Sequence, residues 1–264
     1  MNKLQCLNST TIKITAIVLM VCDHIHQMFY YAGAPLWLTF LGRLVFPLFL
    51  FAAADSFHYT RDRKKYLIRL LCASWVMTVM TVALQALLPN EDVVLMNNAF
   101  TTFLIAGLYM LFWNRFAEGV KTKSAGKIVT AILLCFVPVI ASLPTLLLVP
   151  HLAELPLATT RIIMTALMLI PNLLMVEGGF VMVALGVAFY ILRQWRLAQV
   201  GVLLVLSAGL AYLNGLGDPQ WLMCFAAIPM LLYNGAKGRG MKRFFYIFYP
   251  AHIAVLYIAA TLLF

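Results

Sequence analysis

The sequence predicts an all-α, polytopic helical membrane protein, and three observations predict it. Hydrophobic residues make up 64% of the 264-residue chain and charged residues only 11%, against roughly 25% charged in a soluble domain. Apolar runs such as 12–20, 40–54 and 244–264 recur along the whole length, as the spans of a multi-pass protein do. Lys and Arg are gathered between those runs: 17 of the 19 fall in the amino-terminal stretch, 61–69, 115–127, 193–196 and 237–243.

About nine spans and one partial helix are expected. The first runs over 12–30; with Asp23 and His24 inside it and no small-residue cleavage site, it is read as a span rather than a cleavable signal. An uncharged turn at 31–35 leads to the second span, 36–57, which ends at the basic hairpin 61–65. The third span covers 66–88, the acidic loop 89–97 follows, and the fourth covers 98–113. The fifth, 128–149, leads into a loop at 150–161 that holds Pro150 and Pro156. Two apolar stretches follow, 162–176 and 178–192, each about 15 residues long, short of the ~20 that a span usually takes. The first is broken by Pro171 and is read as a partial or surface helix. The second is read as the sixth span, opened by Glu177-Gly178-Gly179. Spans over 197–212, 221–233 and 244–264 complete the chain.

The clustering of Lys and Arg places the amino terminus in the cytoplasm and the protein in the cell membrane. The net charge of +10 then faces anionic lipid rather than nucleic acid. With no linker or low-complexity segment, residues 1–264 read as a single membrane domain. The five cysteines are scattered without a CxxC, and four of them lie in apolar runs as packing residues. No ligand set has metal-site spacing, no Gly-rich phosphate loop occurs, and no Ser stands in a nucleophile elbow.

Ionisable groups inside apolar spans mark functional sites, because charge in hydrocarbon costs several kcal/mol or more. Three lie on the first two spans: Asp23, His24 and Arg43. At 1.5 Å rise per residue, His24 stands roughly 18 Å from the cytoplasmic start of its span, and Arg43 roughly 10 Å below the outer start of the next. Asp23, His24 and Arg43 therefore come to similar depth. Asn97, Asn98 and Glu177 open their spans at the same outer side, while His252 lies roughly 12 Å in from the cytoplasmic side. Neighbours on a helix point about 100° apart. Asp23 is thus expected to pair with Arg43 across the two spans, leaving His24 to face a polar cavity. His26 points away from His24 and is expected at the interface, and Asp55 is expected to pair with a basic neighbour.

The chain resembles the TraX family, named for a membrane protein associated with acetylation of conjugative pilin. Lys13-Ile-Thr-Ala-Ile with Met20-Val-Cys-Asp23-His24 resembles its first motif. Gly42-Arg43 with Phe46-Pro47-Leu-Phe49 resembles the second, and Thr60-Arg61, Lys65-Tyr66 and Arg69-Leu70 the third. Tyr233-Asn234-Gly235, Phe245-Tyr246-Ile-Phe248-Tyr249-Pro250 and His252 resemble the carboxyl-terminal signature. Glu177-Gly178-Gly179 stands where the family has an acidic-aromatic-Gly motif, and 114–170 match little. The first two spans are also distantly similar to those of the wider transmembrane acyltransferases.

The resemblance implies an integral membrane acyltransferase that takes acetyl from cytoplasmic acetyl-CoA to an acceptor at the outer face, whether pilin, glycan or lipid. Catalysis would rest on His24, Asp23 and His252, with a histidine as general base. Arg43, Asn98, Glu177 and Tyr249 would bind the acceptor or the oxyanion. Arg61, Lys65 and Arg69 would bind coenzyme A phosphates. The alternative is a transporter or channel that uses the buried Asp, His and Arg as a proton or solute site. An inverted repeat would favour it, and none is visible.

Overall fold

The computed structural model describes residues 5–263, with Lys242 known by its backbone alone. Helices α1 (Ser9–Phe29), α2 (Trp37–Gly42), α3 (Val45–His58), α4 (Arg63–Leu87) and α5 (Ala99–Lys121) form the first half. After them come α6 (Ala125–Cys135), α7 (Val137–Ile140), α8 (Leu143–Leu148), a 3-10 turn (Val149–Glu154) and α9 (Leu157–Leu169). The chain closes with α10 (Gly179–Ile191), α11 (Arg196–Asn214), a 3-10 segment (Pro219–Ala226), α12 (Ala227–Leu232) and α13 (Lys242–Leu263). No strand occurs among the described residues; one isolated bridge joins Leu7 to Tyr233.

Among the described residues, six stretches are long and apolar enough to cross a membrane: Ser9–Phe29, Trp37–His58, Arg63–Leu87, Ala125–Glu154, Arg196–Asn214 and Arg243–Leu263. Shorter apolar helices cover Leu157–Leu169, Gly179–Ile191 and Pro219–Leu232. The protein is a multi-pass helical membrane protein. Its side chains are sorted accordingly: Val18, Val76, Val205 and Val255 stand well exposed on α1, α4, α11 and α13, whereas Ser74, Thr78, Thr101 and Thr102 are buried. Outward valines match lipid tails, and inward hydroxyls find one another.

Proline breaks explain where the helices differ from simple spans. Pro138, Pro144 and Pro150 each stand in the first turn of a new segment. A proline lacks the N–H that would continue the preceding ladder but suits a first turn. The stretch 125–154 is therefore a stepped run of short helices rather than one rod. The expected span at 221–233 likewise begins as a 3-10 segment and turns α-helical only from Ala227.

The described residues fall into two compact units. The first takes those of Met1–Ser56, Leu84–Leu95 and Ala188–Phe264. In it α1 packs on α2 and α13, and α11 packs on the 3-10 segment and α12. Ile12, Leu48, Phe51, Phe189, Tyr190, Met223 and Tyr257 are among its fully buried large side chains. The segment before α1 is tied to the stretch before α13: Leu7 N–H donates to Leu232 O at 3.0 Å, and Ser9 N–H donates to Ala236 O at 2.8 Å. Thr10 adds its hydroxyl to the carbonyls of Lys237 (3.2 Å) and Arg239 (2.6 Å).

The second unit takes Phe57–Ala83 and Met96–Val187. Its interior holds Phe57, Leu67, Met77, Leu104, Ile105 and Met110. Tyr109 donates to Cys135 O at 3.0 Å between α5 and α6, and Ser142 Oγ accepts from Leu173 N–H at 3.0 Å. All five cysteines are free, and Cys72 is exposed on α4 rather than packed inside.

Candidate functional site

The sequence of α1 places Asp23 and His24 on different sides of one helix, and the first unit gives each a separate partner. Asp23 faces α2. Its Oδ1 accepts from Thr39 Oγ1 at 2.8 Å and forms an ion pair with Arg43 Nη2 at 3.4 Å. The Arg43 guanidinium also donates to Thr39 Oγ1 (2.7 Å), to Thr39 O (3.2 Å) and to Gln220 Oε1 (3.0 Å). Gln220 N–H is held in turn by Asp218 Oδ1 at 2.8 Å. The expected Asp23–Arg43 pair is thus present, extended by Thr39 and Gln220. Neither of those two was singled out in the sequence; Thr39 lies four residues before Arg43, the spacing that puts two side chains on one helical face.

Gly42 is what lets Asp23 come so close. A Cβ built at position 42 would overlap the Asp23 carboxyl group. The Gly-Arg dipeptide thus works as a unit: the glycine makes room for the carboxylate, and the arginine pairs with it.

His24 faces α13. Its Nδ1 lies 2.7 Å from His252 Nε2, and the two rings meet edge to edge with centroids 5.0 Å apart and planes 23° apart. The Phe248 ring lies nearly parallel to that of His252, at 5.0 Å and 11°. Tyr249 flanks both histidines, with ring centroids 6.3 Å from His24 and 5.7 Å from His252. His24 is 4% exposed and His252 8%.

One further contact assigns the protons. His252 Nδ1 lies 2.9 Å from Phe248 O, and a carbonyl can only accept. His252 therefore carries its proton on Nδ1 and offers its Nε2 lone pair, so the donor in the histidine pair is His24 Nδ1–H. In the neutral pair this leaves the lone pair of His24 on Nε2. His24 does not face a cavity alone, as expected from its depth; it shares its site with His252.

The other candidate residues lie in the second unit. Asn98, 5% exposed, donates its Nδ2 to Ser74 O (3.1 Å), Ser74 Oγ (3.2 Å) and Thr78 Oγ1 (3.0 Å). Ser74 and Thr101 hydroxyls meet at 2.7 Å. The Asn98 Oδ1 is buried without a partner among the described residues. Glu177 is half-buried, and its carbonyl accepts from Thr102 Oγ1 at 2.8 Å. Gly178 (φ 76°) and Gly179 (φ 72°) follow in the left-handed region, where glycine is at no disadvantage. Arg61, Lys65 and Arg69 are exposed, and Lys65 pairs with Asp62 at 3.5 Å.

Two other expectations resolve differently. His26 is buried rather than interfacial, with Nδ1 3.2 Å from Ala34 O in the turn after α1. Asp55 accepts the Tyr233 hydroxyl at 2.8 Å, and its basic neighbours Lys13 and Arg196 stay within electrostatic reach without forming an ion pair. Among the described residues, no three His, Cys, Asp or Glu side chains converge as a metal ligand set.

A family profile described as TraX protein matches residues 8–260, nearly the whole chain. The chain belongs to the TraX family. The match spans both the Asp23–Arg43 network and the His24–His252 pair, so the site is built from the family's own stretch of chain. No curated protein and no solved structure matches.

Proposed function

We propose that this TraX family protein is an integral membrane acyltransferase that moves a short acyl group, acetyl foremost, from the thioester of acetyl-CoA to a hydroxyl or amine acceptor. The observation that carries the reading is the hydrogen-bonded pair of buried histidines, with the lone pair placed on His24 Nε2. That nitrogen takes the proton from the acceptor O–H or N–H as the acceptor atom attacks the thioester carbonyl carbon. The tetrahedral oxyanion collapses, the C–S bond breaks, and coenzyme A leaves as the thiolate, which a proton from His24 neutralises. Each proton and electron pair is then accounted for within the pair and the two substrates.

His252 supports this step. When His24 is protonated, its Nδ1–H bond to His252 Nε2 becomes charge-assisted and stronger. The charge is thereby spread over two rings in a place where water cannot stabilise it. Asp23 and Arg43 brace α1 against α2 and hold the level of His24. In this reading the amino terminus faces the cytoplasm and the donor enters from that side. The acceptor, whether pilin, glycan or lipid, meets the site from the other, with Tyr249 as its candidate contact. Arg61, Lys65 and Arg69 then face anionic lipid headgroups or the donor.

A buried chain of protonatable rings also serves proton movement, which gives the transporter reading its one specific support. The test separates the two. Purified protein in nanodiscs, given radiolabelled acetyl-CoA and a membrane extract as acceptor source, should release coenzyme A and label the extract. Proteoliposomes loaded with a pH-sensitive dye should show no proton flux above protein-free vesicles. Proton flux without thioester cleavage would replace acyl transfer by transport.

A further inference from the structure

A second polar cluster in the first unit lies away from the histidines, at the start of α11. Arg196 packs against a pair of aromatic rings that meet edge to face, its guanidinium carbon 4.4 Å from the Phe51 centroid and 4.8 Å from the Tyr233 centroid. Cation–π contacts of this kind hold the group in place while its N–H groups keep their capacity for an acceptor. Among the described residues no oxygen accepts a hydrogen bond from it. The nearest acid, Asp55, takes the Tyr233 hydroxyl instead.

Two more cations share this neighbourhood. Lys13 donates to Ser56 Oγ at 3.0 Å and lies within electrostatic reach of both Asp55 and Lys237. Lys237 is exposed, on a loop fixed by the hydrogen bonds from the Thr10 hydroxyl to the Lys237 and Arg239 carbonyls. Gly238 permits that fixation, because its φ is +69° and a Cβ there would press on Asn8 and Thr10. Lys13 and Arg196 thus lie within electrostatic reach of the same carboxylate, and Lys237 within reach of Lys13, so the three cations outnumber that carboxylate by two.

That arrangement differs from the basic hairpin after α3. Arg61, Lys64, Lys65 and Arg69 are exposed to solvent or headgroups, as charges that only orient a membrane protein are. Arg196 is half-buried and packed against both rings. A planar fork with two ammonium groups in the same neighbourhood suits a ligand of more than one negative charge, and phosphoryl oxygens fit it best.

We propose that Arg196, with Lys13 and Lys237, forms a phosphate-binding site that holds the phosphoryl groups of the acyl donor. That the ligand is the donor rests on the acyl-transfer reading; the phosphate chemistry does not. The donor's anionic end is thereby moved from the hairpin at 61–69 to the junction of α1, α3 and α11. An anionic lipid headgroup presents the same chemistry, so the test must separate the two sources.

The experiment measures binding of radiolabelled coenzyme A to the full chain in phosphatidylcholine nanodiscs, with inorganic pyrophosphate and added phosphatidylglycerol as competitors. Arg196→Gln should weaken coenzyme A binding about 10- to 100-fold, as loss of a charge-assisted hydrogen-bond pair does. Lys237→Gln, in an exposed loop and so a second probe should the first variant misfold, should weaken it too and flatten its salt dependence. Acetyl-pantetheine, which lacks phosphates, should bind both variants as it binds the unaltered protein. Unchanged coenzyme A affinity in both variants, or loss only with Arg61→Gln and Arg69→Gln, overturns the site and leaves acyl transfer standing. If coenzyme A fails to bind at all while phosphatidylglycerol or pyrophosphate binding is lost in Arg196→Gln, the phosphate site holds and the donor reading falls. Absence of binding by all three overturns the site.

Discussion

The carboxylate of Asp23 occupies the space that the Cβ of any other residue would need at position 42. The two belong to different helices, so this contact sets how closely α1 approaches α2. It also delivers Asp23 to Thr39 and Arg43.

Gly42→Ala tests that approach through the sign of its effect. Within a helix, alanine is ordinarily the better residue by about 1 kcal/mol. Here the added methyl must displace a carboxylate, and overpacking costs typically about 1–3 kcal/mol. The variant should therefore melt at a lower temperature than the parent in matched detergent micelles. A raised melting temperature would show that the helices do not meet so closely.

Asp23→Asn should destabilise the protein by about 1–3 kcal/mol, the range for losing a charged hydrogen-bond partner. The side chains of Arg43 and Asp23 are 29% and 25% exposed, so the larger cost of stranding a fully buried charge does not apply in full. A double-mutant cycle with Arg43→Gln should give a favourable coupling. Additive effects of the two substitutions would refute a direct pair.

The histidine pair makes unequal predictions for its members. His24→Ala removes the nitrogen proposed to take the acceptor proton, and turnover should fall about 10²–10⁴-fold. His252→Ala removes only the group that spreads the charge and fixes the tautomer, so turnover should fall less. Activity should drop as pH is lowered, because a pair already protonated has no lone pair on Nε2 to offer. Initial rates of coenzyme A release across pH, for all three proteins, decide the matter. Full activity in both variants rules the pair out.

Outside the membrane spans, Asp62 caps α4. The Lys65 backbone N–H, donating to Asp62 Oδ1 at 2.9 Å, holds that carboxyl below the ordinary carboxylate range, with the Lys65 ammonium acting in the same direction. A group whose value is lower in the folded state stabilises that state above its unfolded value, and the stabilisation is lost as pH falls through the folded one. Amides in the first turn of α4 should thus exchange faster, relative to the intrinsic rate, in acid than at neutral pH. Asp62→Ala should abolish that difference. If the difference survives in Asp62→Ala, the cap is not its source.

The helical class, the order of the elements and the Asp23–Arg43 pair could all be read from the sequence. Periodicity and the clustering of Lys and Arg are local signals, and the partners on α1 and α2 lie only 20 residues apart. The His24–His252 contact could not be read in the same way. Counting rise from each helix start put the two at different depths, but that arithmetic assumes that α1 and α13 begin level with one another. In the fold the start of α1 is level with Leu232–Ala236, several residues before α13 begins. Arg196 escaped notice for a related reason. In sequence it is one more positive charge in a short basic loop; the rings of Phe51 and Tyr233 that set it apart come from distant segments.

The separation of 228 residues between the paired histidines also bears on how the protein is made. At about 5–20 residues per second on the ribosome, His24 leaves the peptidyl-transferase centre some 10–45 s before His252 does. Through that interval α1 must reside at the translocon, or in the bilayer, without its eventual histidine partner. On the proposed mechanism the working centre then waits for α13, and a nascent chain released before that helix is made would carry α1 without its paired histidine.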